Sequence, residues 1–479
     1  MKTETVCRKQ FADACITLTR LLFLLLVLPA VGQEHTPIKL HPDNPHYFLW
    51  RGQPTILITS TEHYGAVLNL DFDFIPYLDE LRSHGFNLTR VFSGSYREIK
   101  GSFNLKENTL APKPSRFIAP WARSSSAGAV DGQNKFDLAK WDPAYFDRLK
   151  NFVAEADKRG IVVEYVFFCT MYGEELWQAS PMNSLNNIND IGKVGRYEVY
   201  SVKEKALQDI QEAFVRKIVT ELNPAPNLYF EICNEAYERG GLTREWNDRV
   251  VAAIHDTEST LPNRHLIAQG FPPDPPRIEN PNPQISIFNF HVVNPRCLSE
   301  NYHYKRPIAD DETGGKGIHP LPYRREAWEF ILGGGAVVDH LDFSFTVNHP
   351  KGTFPLTDEP GGGGPEIRAQ LAILKKFLES FEFIRMRPDR SSVRVVRPGV
   401  TATTLSQPGV AYAVYLHGSA PFCELELSLG ADSYRAEWLD PKSGKVLKVE
   451  KFLTSGHPHQ IVFEGFAEDI VLRLRRDSP

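Results

Sequence analysis

The sequence predicts an α/β protein, a (β/α)8 TIM barrel over residues 33–382 followed by a small C-terminal antiparallel β-sandwich over residues 383–479. Three observations carry this prediction. Up to about residue 381, short apolar runs of period two alternate with longer stretches whose apolar residues recur at helical spacing, the sequence form of a parallel α/β barrel. Beyond residue 383 the pattern changes to some seven short alternating runs separated by Gly, Pro, Asp and Ser, which argues for a sandwich. At 479 residues the chain exceeds one ordinary domain and fits a barrel of roughly 250 to 350 residues plus a smaller module.

Residues 1–32 read as a signal peptide. Lys2, Arg8, Lys9 and Arg20 precede an apolar run over 21–31, and Ala30 and Gly32 are the small residues a signal peptidase requires. The run is too short to span a bilayer comfortably. Export to a secreted or periplasmic location is expected, with no stable membrane insertion after cleavage. Residues 44–65 read as a hairpin that closes the bottom of the barrel, turning at Arg51-Gly52-Gln53-Pro54, followed by a first barrel strand over 55–59. Glu62, His63 and Tyr64 stand at the exit of that strand, where a barrel gathers its substrate-binding groups. Phe74, Ile75, Leu78 and Leu81 recur at helical spacing, and Gly85 ends that helix.

Strand two covers 86–92 and carries Arg90 near its exit. A charge inside a buried strand is costly unless paired, so Arg90 requires an acidic partner in the barrel mouth. The sequon Asn87-Leu88-Thr89 lies within the same strand, which argues against its modification. Residues 95–140 read as a long irregular insertion forming one wall of a cleft. Asp142-Pro143 starts the next helix with a capping residue and a proline at its first position, Gly160 ends it, and 161–169 is strand three. The loop over 170–199 offers Tyr172 and Trp177 as ligand-facing aromatics, and Leu207, Ile210, Phe214 and Ile218 form the helix that follows.

The stretch over 227–235, NLYFEICNE, organises the rest. Leu228, Phe230 and Ile232 alternate with Tyr229 and Glu231, and Asn234-Glu235 stands at the exit. Strands five and six are expected over 265–271 and 285–292, the latter with His291 at its exit. Strand seven runs through Ile308-Ala309-Asp310-Asp311-Glu312, with Glu312 ahead of a glycine turn and Asp310 and Asp311 as rival carboxylates. Strand eight covers 338–346, with Phe343 and Phe345 near its exit and a four-glycine run, 361–364, as a flexible lip.

A strand ending in Asn-Glu, followed in order by a strand-seven Glu, resembles the clan-A glycoside hydrolases, the barrel superfamily that includes the cellulase-like families. The resemblance covers residues from about 40 to 385 and rests on Arg90, Asn234, Glu235, His291 and Glu312. It implies a glycosidase that cleaves a poly- or oligosaccharide with retention, which the leader over residues 1–32 would export. By this resemblance Glu235 is the general acid/base, Glu312 the nucleophile that Arg90 keeps ionised, Asn234 the ligand of the sugar's 2-hydroxyl, and His291 a contact of the site. The mechanism requires the two carboxyl pKa values to be driven apart, with Glu235 raised by burial and by the charge of Glu312. Many clan members place a Trp at the end of strand eight. None stands here, and Phe343 or Phe345 is the substitute within that strand.

A formal net charge of −5 leaves no basic excess for nucleic acid. Cys169, Cys233, Cys297 and Cys423 show no spacing that suggests a metal site or a disulfide framework. No cofactor is implied, and no calcium-loop pattern follows the three strand-seven carboxylates, so no metal is expected. Two other readings keep the barrel. One is a non-catalytic carbohydrate-binding or cell-surface protein; the other is a metal-dependent hydrolase using Asp310, Asp311 and either His63 or His291.

Overall fold

The computed structural model describes residues 36–477, apart from 236, 238–241, 292–295, 397 and 420. The leader expected over residues 1–32 lies outside the described residues. No helix among the described residues is long and apolar enough to cross a membrane.

The chain opens with a three-stranded antiparallel sheet, β1 (Lys39–Leu40), β2 (Phe48–Trp50) and β3 (Gln53–Thr55). Arg51 and Gly52 both take positive φ, 51° and 72°, as a two-residue hairpin turn demands. Ile38 N–H donates to Pro226 O at 3.0 Å, which ties this sheet to the entry end of the barrel as expected.

Barrel strands and helices then alternate. β4 (Leu57–Thr61) leads to α1 (Phe74–Ser83), whose cap Asp73 accepts from Ile75 N–H. β5 (Leu88–Phe92) is followed by the insertion, which is not irregular throughout. It contains an antiparallel hairpin, β6 (Trp121–Ala127) and β7 (Asn134–Trp141), because alternating residues there pair across a glycine-containing turn. α2 (Pro143–Lys158) carries the expected Asp142 cap and leads to β8 (Val162–Cys169). The loop after β8 holds a short helix, α3 (Glu174–Ala179), before α4 (Lys205–Leu222). The central strand is β9 (Leu228–Asn234), buried at all seven positions, and α5 (Arg244–Ser259) follows it. β10 (Ile267–Gly270) passes to β11 (Ile287–His291) through a helix-free loop, where an ideal barrel has a helix. α6 (Arg296–Asn301), β12 (Ile308–Thr313), α7 (Pro320–Leu332), β13 (Val337–Leu341) and α8 (Pro365–Glu379) complete the sequence.

All seven ladder contacts of the eight-stranded sheet are parallel, in the order β4-β13-β12-β11-β10-β9-β8-β5. Asn87 joins its two ends. Its Oδ1 accepts from Ile58 N–H at 3.1 Å and its Nδ2 donates to Ile56 O at 2.7 Å, so a side-chain amide takes the place of a ladder peptide. The sequon asparagine is committed to barrel closure.

The glycine run after β13 is packed and does not form a loose lip. A Cβ on Gly361 would stand 2.2 Å from the Phe343 ring, and one on Gly363 1.9 Å from an Asp342 oxygen. Only glycine admits that approach.

Beyond residue 386 come β14 (Arg387–Pro388), β15 (Val393–Val395), β16 (Val400–Gln407), β17 (Ala411–Gly418), β18 (Cys423–Leu427), β19 (Ser433–Leu439), β20 (Val446–Leu453), β21 (His459–Phe463) and β22 (Asp469–Arg476). They form two antiparallel sheets, β14-β16-β17-β22-β19-β20 and β15-β18-β21, around a core including Tyr412, Leu425, Trp438 and Leu472. β16 was not resolved as a separate strand in the sequence pattern. Its run of threonines lacks the apolar alternation that marks the others. On the side facing the barrel, Arg324 of α7 donates to both oxygens of Asp469 at 2.8 and 2.9 Å, and Trp328 stacks on Tyr415.

Candidate active site

Arg90 organises the interior of the barrel mouth. It is fully buried, and its Nη2 donates to Glu231 Oε2 at 2.5 Å and to Asn234 Oδ1 at 2.7 Å. Nη1 donates to Glu312 Oε2 at 3.1 Å, and Asp311 Oδ2 lies 3.3 Å from Nη2. The guanidinium also lies 4.8 Å from the Tyr64 ring centroid and 5.4 Å from that of Phe92. Burial works against its charge, but Glu231, Asp311, Tyr64 and Glu164 outweigh burial and hold it protonated.

Strand β12 reaches the mouth through a local irregularity. Its register shifts against β11 between Phe290 and His291, and against β13 between Asp310 and Thr313. The extra residue allows consecutive carboxylates, Asp311 and Glu312, both to approach Arg90, which strict alternation would forbid. Asp310 faces away, toward Glu326 and Lys316, and burial raises its carboxyl well above the usual range.

Glu235 follows β9 in the left-handed region, at φ 47°. Its Oε2 accepts from the Tyr172 hydroxyl at 2.5 Å, and its Oε1 lies 3.1 Å from His291 Nδ1. Asn234 Nδ2 donates to the same Tyr172 oxygen at 2.9 Å, and Thr170 Oγ1 donates to the Glu235 carbonyl at 2.7 Å. His291 links both sides of the mouth. Its Nε2 lies 3.5 Å from Asp311 Oδ2, and its Nδ1 lies 3.9 Å from Glu312 Oε1. One ligand atom each from Glu235, His291 and Glu312 lie within 4.8 Å of one another. The side chains of Glu235 and Glu312 are each 22% exposed, whereas those of Arg90 and Asp311 are fully buried.

The electrostatics differ from the expectation on one point. Burial pushes the Glu235 carboxyl up, but the hydrogen bond and charge of His291, with Tyr172 and Arg90, prevail and lower it to about 2. Burial likewise works against the charge of His291, yet Glu312, Asp311 and Glu235 raise it well above its ordinary value. In this structure the proton of the Glu235–His291 pair therefore resides on the imidazole. The sequence pattern does not show this, because the effect depends on a cation from a different strand.

Arg90, Asn234, Glu235, His291, Glu312 and Tyr172 converge on one mouth. His63 lies at its rim, 13% exposed and edge-on to Phe343, and burial lowers its imidazole to about 4. Glu62, Trp177 and Phe345 correct the expectation. Glu62 is fully buried and accepts from Gly65 and Ala66 N–H at 3.0 and 2.9 Å, so its carboxylate holds the turn after β4. Trp177 is fully buried with its indole N–H on Val194 O at 2.8 Å, an anchor for its loop. Phe345 packs edge-on against Tyr77 with the Arg368 guanidinium 4.7 Å from its centroid, and presents no face to the mouth. Phe343 is 8% exposed and so leaves no open platform in strand eight either.

Sequence reasoning gave no site role to Glu231, Glu164 and Asn289. Asn289 Nδ2 bridges Glu164 Oε1 at 2.7 Å and Asp311 Oδ2 at 2.9 Å. The signal for Glu231 was the one that identified Arg90, a charge at an alternating position of a buried strand. Cys169, Cys233, Cys297 and Cys423 are all buried free thiols.

Residues 113–253 match a family model described as "Domain of unknown function (DUF6298)". No curated protein matches the chain. Among solved structures, one described as a glycoside hydrolase superposes with a TM-score of 0.64 at 14% identity, covering 93% of this chain and 98% of its own. A glycoside hydrolase family 5 structure from Bacteroides vulgatus superposes at 0.62 and 14% identity, covering 92% and 94%. Across both the barrel and the C-terminal sheets, the chain thus has the fold of proteins described as glycoside hydrolases.

Proposed function

We propose that the protein is a glycoside hydrolase that cleaves O-glycosidic bonds of a poly- or oligosaccharide with retention at the anomeric carbon. The observation that carries this reading is the pair Glu235 and Glu312. They come from the exits of two strands, both partly open in a mouth whose other acids are buried, with carboxylate oxygens within 4.8 Å of each other. This nearest approach of single oxygens favours the shorter carboxyl separation of retaining enzymes, about 5 to 5.5 Å, over the roughly 6.5 to 9.5 Å with which inverting enzymes admit water.

In the first step Glu312 attacks the anomeric carbon, its carboxyl group oriented by the hydrogen bond from Arg90 Nη1 at 3.1 Å. The C–O bond to the leaving group breaks as that oxygen takes a proton from the Glu235–His291 pair. In the second step Glu235 accepts a proton from water, whose oxygen attacks the anomeric carbon and releases Glu312 from its ester. Asn234 is held by Arg90 and Tyr172, and its Nδ2 also lies 3.5 Å from Cys169 Sγ. A sugar 2-hydroxyl would displace that weak sulfur contact. The leader over residues 1–32 fits export, to the periplasm or outside the cell.

A second reading has one observation in its favour. Glu235, His291 and Glu312 also meet the spacing of a divalent-metal site, although His291 would first have to lose its proton. The test is turnover of 4-nitrophenyl glycosides by wild type, Glu235→Gln and Glu312→Gln, with and without EDTA, and the product anomer followed by proton NMR. The reading predicts a retained first-formed anomer, losses of about 10³-fold or more in Glu312→Gln, and indifference to chelator. An inverted product would overturn retention, and loss of activity in EDTA would favour the metal reading.

A further inference from the structure

The mouth lacks an aromatic platform from strand eight, since Phe343 and Phe345 are buried. Two exposed rings stand on the loops after β5 and β8. Among the described residues, Phe103 and Tyr197 are the exposed Phe, Tyr and Trp side chains, at 46% and 47%. They come from different loops, one after β5 and one after β8, and both are built onto Tyr172. The Phe103 ring meets that of Tyr172 edge-on, at 88° with centroids 5.4 Å apart. Tyr197 lies against the Arg196 guanidinium, 4.0 Å from its centroid, and that guanidinium donates to the Met171 and Tyr172 carbonyls at 2.8 and 2.7 Å. Tyr172 in turn donates to Glu235.

Exposing a large ring has a hydration cost, and in this protein the other aromatic side chains described are at least partly covered. Phe103 also holds a left-handed backbone, φ 56°, unusual for a bulky residue and a form of strain that clusters at ligand-binding loops. Phe103 is thus linked to Glu235 through the Tyr172 side chain, and Tyr197 through Arg196 to the Tyr172 main chain.

We propose that Phe103 and Tyr197 are the substrate-binding platform on the leaving-group side, stacking against sugar units of an extended chain beyond the bond that Glu235 protonates. This rests on the glycosidase reading. The ligand class is therefore a linear oligo- or polysaccharide with at least two units on the leaving-group side, its sugars presenting C–H faces to the rings. A short glycoside with a small aryl leaving group cannot reach both rings.

The test compares wild type, Phe103→Ala, Tyr197→Ala and Phe103→Trp. Each is assayed on gluco-, manno-, galacto- and xylo-oligosaccharides of two to six units and on the matching 4-nitrophenyl monosides. Each alanine should raise KM for the longest cleaved chain about five- to tenfold, leave kcat within about twofold, and leave kcat/KM on the aryl monoside unchanged. Phe103→Trp should retain wild-type KM. The same chains titrated into Glu312→Gln give their affinity without turnover. Equal losses on long and short substrates, or none, would overturn the platform while leaving the glycosidase reading intact. A wild-type protein that neither cleaves nor binds any of these saccharides would overturn both.

Discussion

His291→Gln isolates the contribution of the imidazolium, because glutamine keeps a polar side chain of similar reach but carries no charge. In the structure Glu235 lies at about 2 against an ordinary 4.5, although burial pushes it the other way. The hydrogen bond and charge of His291 are the largest of the causes that hold the carboxylate ionised against burial. In the variant Glu235 should titrate higher than in wild type, with Tyr172 and Arg90 alone left to oppose burial. In the proposed mechanism the proton donor is the Glu235–His291 pair, which keeps its proton until the pH passes the raised value of His291. The basic limb of kcat/KM on a 4-nitrophenyl glycoside should therefore lie on the alkaline side of an ordinary imidazole in wild type and move about one unit or more toward acid in the variant. Stability should change in the matching directions. The depressed Glu235 contributes stability above its unfolded value, lost as pH falls toward 2. The raised His291 contributes stability below its unfolded value, lost as pH rises through its folded one. Denaturant unfolding should thus show the largest gap between wild type and variant near pH 5 to 6.5. A basic limb displaced by less than half a unit would refute the assignment of the proton to this pair.

Arg90→Met leaves Glu231 and Asp311 buried without their cation and should cost about 3 to 5 kcal/mol at pH 8. Glu231, raised to about 7 even beside Arg90, has a folded value above its unfolded one, so its ionisation destabilises progressively between those pH values. The loss should accordingly be smaller at pH 5 in urea unfolding; equal losses at both pH values would contradict the account. Asn87→Ala removes the partners of Ile58 N–H and Ile56 C=O, at about 1 to 3 kcal/mol for each buried group left unsatisfied. Hydrogen exchange should accelerate in β4 and β5 before the rest of the barrel, and uniform exchange across the eight strands would show that closure does not depend on this amide.

The barrel was legible because period-two and period-3.6 patterns survive wherever a strand or helix buries one consistent face. Each of the eight strands lies within a few residues of its expected place. The helix missing between β10 and β11 leaves a proline-rich segment, PPDPPRIENPNPQ, whose composition already argued against a helix. At the site, Arg90, Asn234, Glu235, His291 and Glu312 could be read because each stands at a strand exit, and strand exits share one rim. Glu62 and Phe345 occupy similar places in the pattern but turn inward, since chain direction after a strand depends on turn geometry and not on periodicity. Trp177 could not be separated from Phe103 or Tyr197 by residue type. Burial alone distinguishes an anchor from a platform.

The interior acids explain why the mouth carries two usable carboxylates. Glu164, Glu231, Asp311 and Asp339 are fully buried, and the described cations facing them are Arg90 and His291. Two positive charges cannot compensate four interior acids and two at the mouth. Burial accordingly drives Glu164 well above its ordinary range, Glu231 to about 7 and Asp339 to about 8. Arg90 can then direct its Nη1 to Glu312, and His291 its Nδ1 to Glu235, at 3.1 Å in each case. The buried acids thus hold the two cations in place without neutralising them fully, and the remaining field falls on the two partly exposed carboxylates. Replacing a buried acid such as Glu164 by glutamine should consequently disturb the site less than replacing either cation.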